Sequence, residues 1–215
     1  MRKIYAFDFD GTLTTKDTLL EFIRFAKGCG QMVRGFLLFS PLLLLMKLHL
    51  YPNWKAKQQV FSYFFKGMNI DDFNALCTHF AEQNKHLLRP AGIEKVRKAI
   101  EEEQATVLII SASIDNWVRP FFDEIDKKIQ VLGTQIETKE GRLTGQFTTK
   151  NCYGQEKVNR LTALYPHREA YELIALFYHQ KIMPTVCIGN AGNNDNPFRC
   201  GQCRKCLCFV VRRKT

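Results

Sequence analysis

No stretch of this 215-residue chain offers the ~18–20 consecutive apolar residues that an ordinary membrane-crossing helix needs. No positively charged segment followed by an apolar core opens it, and the sequence begins directly with strand-like residues, so a secretory leader is not expected. The body cysteines Cys29, Cys77, Cys152 and Cys187 are therefore expected as reduced thiols in a cytoplasmic setting. Internal repeats are absent, which excludes a solenoid or array, and no low-complexity stretch precedes the tail. Acids are absent after Asp195, where Arg199, Arg204, Lys205, Arg212, Arg213 and Lys214 supply six of the formal +10, so the body is only modestly basic. Such a tail attracts phosphate backbones without specificity, but the body carries no recognition motif, and no nucleic-acid partner is expected.

What is present begins at Ile4, Tyr5, Ala6 and Phe7, a short apolar run that ends in Asp8, Phe9, Asp10, Gly11 and Thr12. It reads as a buried strand stopping at a loop. Residues two apart on a strand point to one side, so Asp8 and Asp10 can face a single ligand. Two carboxylates that close repel each other unless a cation lies between them. Acids also serve as turn formers and helix caps. A structural role gives little reason to bury this pair, and its chemistry suits attack on phosphorus. One carboxylate can be the nucleophile, Mg²⁺ can bridge its charge to that of the phosphate, and the second acid can protonate the leaving alkoxide.

The stretch Phe7-Asp8-Phe9-Asp10-Gly11-Thr12-Leu13 resembles the DxDGT signature of the haloacid dehalogenase-like (HAD) superfamily. The resemblance implies an α/β fold, a Rossmann-like three-layer core with a mostly parallel sheet and an inserted helical cap. It implies Asp8 as nucleophile and Asp10 as general acid/base, with Mg²⁺ held by Asp8 and by the main-chain carbonyl of Asp10. An aspartate at the second position favours phosphomonoester hydrolysis over carbon–halogen cleavage, since a halide leaves without a proton.

Two further segments follow in the family's order. Thr106-Val107-Leu108-Ile109-Ile110 is an unbroken apolar run suited to a strand covered on both faces, and Ser111-Ala112-Ser113 follows it. This resembles the second motif and implies phosphate binding by Ser111 and the Ala112 backbone; the plain alternative is a serine helix cap. Gly154-Gln155-Glu156-Lys157 resembles the third motif of the phosphoserine-phosphatase-like branch, which makes Lys157 the cation that clamps nucleophile and phosphoryl group. Between them, alternation around Lys139-Glu140-Gly141 predicts a hairpin with a scaffold role.

The expected organisation is a core of residues 1–14 and 89–198, a helical cap of residues 15–88, and a basic Cys-rich tail of residues 199–215 outside the core. Asp17 and Thr18 cap a helix that ends near Gly28, and Asp71 and Asp72 cap another. Residues 35–46 run without a charge between Arg34 and Lys47, and Pro41 breaks any helix through them. They are either a buried core helix or an interfacial segment making peripheral contact at the inner membrane face. The apolar cap and the second and third motifs resemble phosphatidylglycerophosphatase C-type hydrolases over roughly residues 1–175. That resemblance implies a small or phospholipid phosphomonoester as substrate.

The fourth motif should supply metal-binding acids after a strand near 171–175, yet Leu176-Phe177-Tyr178-His179-Gln180-Lys181 contains none. Asn190 and Asp195, after the strand-like Thr185-Val186-Cys187-Ile188, are the next candidates for the Mg²⁺ shell. Cys200, Cys203, Cys206 and Cys208 fall within nine residues, which suits either a metal cluster or an ending changed in reading frame. The alternative function is thus a HAD-like protein impaired in catalysis, lacking the fourth-motif acids and binding a phosphorylated ligand or membrane surface.

Overall fold

The computed structural model describes residues 2–167 and 171–176. Asn190, Asp195 and the tail cysteines lie outside the described residues. Strand β1 (Arg2–Phe7) is central, with β2 (Thr106–Ile114) on one side and β6 (Tyr171–Leu176) on the other; β3 (Gln130–Thr134) adds to β2. Every pairing in this sheet is parallel.

The two-residue period of β1 separates two buried layers. Ile4 and Ala6 join Leu108 and Ile110 and are covered by Val158 and Leu161 of α7 (Gln155–Leu164). Phe7 points the other way, with Val107 and Ile109, beneath Val96 and Ala99 of α5 (Pro90–Glu101). A sheet covered on both faces is the Rossmann-like α/β core that the sequence predicts.

The segment after β1 forms four helices: α1 (Thr18–Leu38), α2 (Ser40–Lys47), α3 (Asn53–Phe65) and α4 (Ile70–Gln83). Their inner faces are unusually aromatic. Phe22 stacks on Trp117 at a centroid distance of 4.9 Å and also meets Phe65, Phe73 and Phe80. Trp117 belongs to α6 (Asp115–Val118), which directly continues β2. Cap and body therefore share one hydrophobic core rather than meeting across a wet interface.

Gly28, at φ 76° and ψ 163°, breaks α1 where the sequence predicts its end, and a second helical run carries on to Leu38. Two local features differ from the sequence expectation. Asn69, not Asp71 or Asp72, caps α4 by accepting the Asp71 amide at 2.7 Å; the two acids fall in the first turn, where the helix dipole favours them. Strand β2 does not stop before Ser111. Ile110 pairs with Leu132 and Ile114 with Thr134, so β2 uses four residues where β3 uses two. The extra length bulges at 111–113, which frees that backbone from the ladder.

The hairpin appears as β4 (Ile136–Lys139) and β5 (Arg142–Phe147), turned by Glu140 at φ 51° and Gly141 at φ 72°. What it scaffolds is the cap. Gly67 and Ile70 donate to the carbonyls of Leu143 and Gly141 at 2.8 Å each, and Leu143 donates to Met68 at 2.9 Å. Gln58 of α3 accepts the Phe147 amide at 3.0 Å. Gly145, at φ 85°, lies so close to Ser62 that a Cβ would collide with it.

Candidate active site

At the carboxyl end of β1 the chain makes one wide turn over Phe9–Leu13, closed by the Thr14 amide on the Phe9 carbonyl at 3.1 Å. Gly11, at φ 73°, takes the left-handed conformation this turn requires. Asp8 and Asp10 sit at the strand end and in the turn, and both line a cavity of about 390 Å³ between core and cap.

Asp8 is half-buried. It accepts the Phe9 amide at 2.8 Å and pairs with Lys157 Nζ at 2.6 Å. Burial pushes its carboxyl above the usual value, Lys157 opposes that, and Asp10 adds to it. Lys157 is buried in the first turn of α7, just after Gly154 at φ 57°.

Asp10 is held from several sides. One oxygen accepts the Thr18 hydroxyl at 2.6 Å and the Thr18 amide at 2.8 Å; the other accepts the Ser113 hydroxyl at 2.6 Å and that of Ser111 at 3.3 Å. Thr18 is in turn fixed by Trp117 Nε1, which donates to its hydroxyl at 3.2 Å. The Asp10 side chain is thereby aimed, and the Thr14 hydroxyl holds the peptide that follows it by accepting the Gly11 amide at 3.2 Å.

Ser111 is fully buried, and its oxygen also accepts the Ser113 amide at 3.0 Å. Ala112 and Ser113, on the bulge, line the cavity instead. The Ala112 carbonyl, freed from the sheet, accepts Lys57 Nζ at 2.6 Å and the Thr134 hydroxyl at 2.8 Å. Lys57 comes from cap helix α3; desolvation lowers its amine's pKa, while Asp10 and Asp17 oppose the shift.

Asp8, Asp10, Ala112 and Lys157 are thus brought to one cavity, and Ser111 lies behind it against Asp10. The sequence reading missed Thr18, Ser113 and Lys57. Thr18 was visible only as part of a helix start, Ser113 only as the second hydroxyl of Ser-Ala-Ser, and Lys57 as one of 31 basic residues.

The model of the family described as haloacid dehalogenase-like hydrolase matches residues 5–179. The chain belongs to that family. Protein CicA of Caulobacter vibrioides is 30% identical over 164 residues, covering 75% of this chain and 72% of the relative. Among solved structures, a Bordetella pertussis protein titled as of unknown function superposes with a TM-score of 0.68 at 16% identity, covering 83% of this chain and 82% of that one. A phosphoserine phosphatase, titled as a phospho-aspartyl intermediate analogue, matches with a TM-score of 0.56 at 18% identity over 83% and 79% of the two chains. At those identities the structures show the fold, which this chain shares with them.

The donors of this HAD-like site fit a hard divalent cation. The Asp8 carboxylate and the Asp10 carbonyl are oxygen donors of the kind Mg²⁺ prefers. Among the described residues no group of three acidic, His or Cys side chains forms a protein-only cage. Mg²⁺ usually keeps several waters and takes few carboxylates, so such a cage is not required.

Proposed function

We propose that this hydrolase is a Mg²⁺-dependent phosphomonoesterase in which Asp8 is the nucleophile. The observation carrying the reading is the ion pair of 2.6 Å between Asp8 and Lys157 on a cavity that also holds Asp10. An Asp8 oxygen attacks phosphorus, the bond from phosphorus to the ester oxygen breaks, and Asp10 gives that oxygen its proton. Asp10 then takes a proton from the water that attacks the aspartyl-phosphate, releasing inorganic phosphate and restoring Asp8. Lys157 balances charge on the nucleophile and on the equatorial phosphate oxygens, and the Ala112 amide on the bulge would donate to the phosphate. Mg²⁺ bound by Asp8 and the Asp10 carbonyl would supply Lewis-acid charge neutralisation between carboxylate and phosphate.

The substrate class in this reading is a small or lipid-linked phosphate. Leu19, Leu20, Phe36, Leu43 and Met46 on the cavity wall support the lipid-linked form, since they offer an apolar tail more than they offer a polar metabolite. Residues 35–46 would then touch the inner membrane face peripherally, from the cytoplasmic side. The competing reading, motivated by the acid-free run at 176–181, is a HAD-like body that binds a phosphorylated ligand without turning it over.

One experiment separates them. The purified chain is assayed on p-nitrophenyl phosphate with and without Mg²⁺, beside Asp8→Asn. Mg²⁺-dependent turnover that drops by about three orders of magnitude in the variant is expected. Wild-type turnover in Asp8→Asn defeats the mechanism, and no turnover in either chain favours the binding reading.

A further inference from the structure

Between Glu21 and Asp71 lie 49 residues without an acid, in a chain that has 21 acids among 215 residues. The same stretch holds seven basic residues; Lys57 is turned to the Ala112 carbonyl and Arg24 is paired with Glu21, while Arg34, Lys47 and Lys55 stand exposed around the apolar run. Inside it is a concentration of exposed apolar side chains. Leu37 is 67% exposed, Leu44 and Leu48 57% each and Leu50 73%, and α2 buries no residue at all. No single described helix is long and apolar enough to cross a membrane. Taken together α1 and α2 have the length and composition but are bent by 62°.

This elbow is bounded by two irregular backbone points, Gly28 at φ 76° and His49 at φ 60°. It leans on α3 through ring contacts of Phe36 with Phe64 and of Phe39 with Tyr63. The rest of the cap is pinned differently. Lys57 bonds the Ala112 carbonyl, Gln58 the Phe147 amide, and residues 67–70 the hairpin backbone. The elbow's inner side, with Phe36, Leu43 and Met46, roofs the cavity whose floor carries Asp8 and Asp10.

We propose that residues 29–51 are a lid that opens on an anionic lipid bilayer. The basic belt brings the elbow to the surface, Leu44 and Leu48 enter the headgroup boundary, and the roof lifts from Asp8. An acid-free, positively charged surround selects anionic over zwitterionic lipid, and the exposed leucines favour a bilayer over a soluble acidic partner. This rests on the phosphomonoesterase reading for its activity readout, but the docking itself does not.

The probe is a vesicle of phosphatidylglycerol, compared with one of phosphatidylcholine. Three signals are read: co-sedimentation, emission of exposed Trp54 against the constant background of buried Trp117, and turnover of water-soluble p-nitrophenyl phosphate. Phosphatidylglycerol vesicles are expected to pull down the chain, shift Trp54 emission to the blue and raise turnover several-fold. Phosphatidylcholine vesicles should do none of these. The double variant Leu44→Asp/Leu48→Asp should keep basal turnover and lose all three responses; Leu44→Ser/Leu48→Ser serves if the aspartates impair folding. Opening is also read without catalysis, as faster labelling of an Asn151→Cys reporter on the cavity wall by a charged thiol reagent. Binding with unchanged labelling, or no binding to phosphatidylglycerol, overturns the proposal. A chain inactive in every condition, but with vesicle-dependent labelling, would instead count against the catalytic reading alone.

Discussion

The Thr18 hydroxyl and the Thr18 amide both donate to the same oxygen of Asp10, at 2.6 and 2.8 Å. The first residue of a cap helix thus orients an acid that sits in the turn after β1. Thr18→Val keeps the amide bond and the side-chain shape but removes the hydroxyl, also stranding Trp117 Nε1. It should lower kcat about tenfold with KM little changed, and cost about 1–3 kcal/mol of stability from the unmet indole donor. Thr18→Ser should restore most of kcat. If Thr18→Val keeps wild-type kcat, the orienting role is wrong.

Lys157→Ala should reduce kcat by about two to three orders of magnitude, the usual cost of losing a charge-stabilising group at the reacting centre. The variant also has a pH signature. Burial raises the Asp8 carboxyl and Lys157 restrains that rise. The nucleophile is the ionised form, so turnover falls as pH drops through the raised value. Without Lys157 the value rises further, and the acid limb of the kcat/KM profile should move to higher pH. An unmoved limb would mean that another group sets it.

The same sign governs metal binding. A protonated Asp8 is a poor ligand, so Mg²⁺ must displace any proton there, and affinity should weaken as pH falls through the carboxyl's raised value. Calorimetry in two buffers of different ionisation enthalpy should detect the released proton. The release should vanish in Asp8→Asn; persistence there would place it on another group.

Gly145→Ala tests the clamp between hairpin and cap. A methyl group at φ 85° and against Ser62 should cost about 2 kcal/mol or more, read from urea midpoints. Adding Ser62→Gly should recover the steric part and leave the conformational part. A fully stable Gly145→Ala would show that hairpin and α3 part easily.

The cysteines report packing. Cys29 is exposed, whereas Cys77 and Cys152 are buried, and burial pushes the Cys152 thiol up to about 11. Among the described cysteines, brief iodoacetamide treatment followed by peptide mapping should label Cys29 and spare Cys77 and Cys152 until denaturant is added. Early labelling of Cys152 would contradict the tight seat of α7 on the sheet.

Much of this was legible in the sequence because its signals are local. The run before Asp8, the Asp17 cap, the glycine turn at Gly141 and the approach of Gly154 to Lys157 each sit within one short window. Thr18, Ser113 and Lys57 were not legible as a group. They come from a cap helix start, a strand bulge and a second cap helix, and only the shared aromatic core brings them within reach of Asp10 and Ala112. Bulging of β2 depends on how many residues β3 presents opposite, which no window around Ser111 contains. Asn69 was overlooked because two adjacent acids gave a louder signal for the same role.

Leu44, Leu45 and Leu48, on α2 and just past its end, stand exposed, and this has a consequence for how the chain can change over time. Where no neighbour fits against a side chain, shape imposes no selection on it. Leu44, Leu45 and Leu48 can be exchanged for isoleucine, methionine or phenylalanine in any order without loosening the fold. What inheritance must preserve at those three positions is an average greasiness and the missing negative charge, so relatives should keep the composition of this outer face while letting its spelling drift.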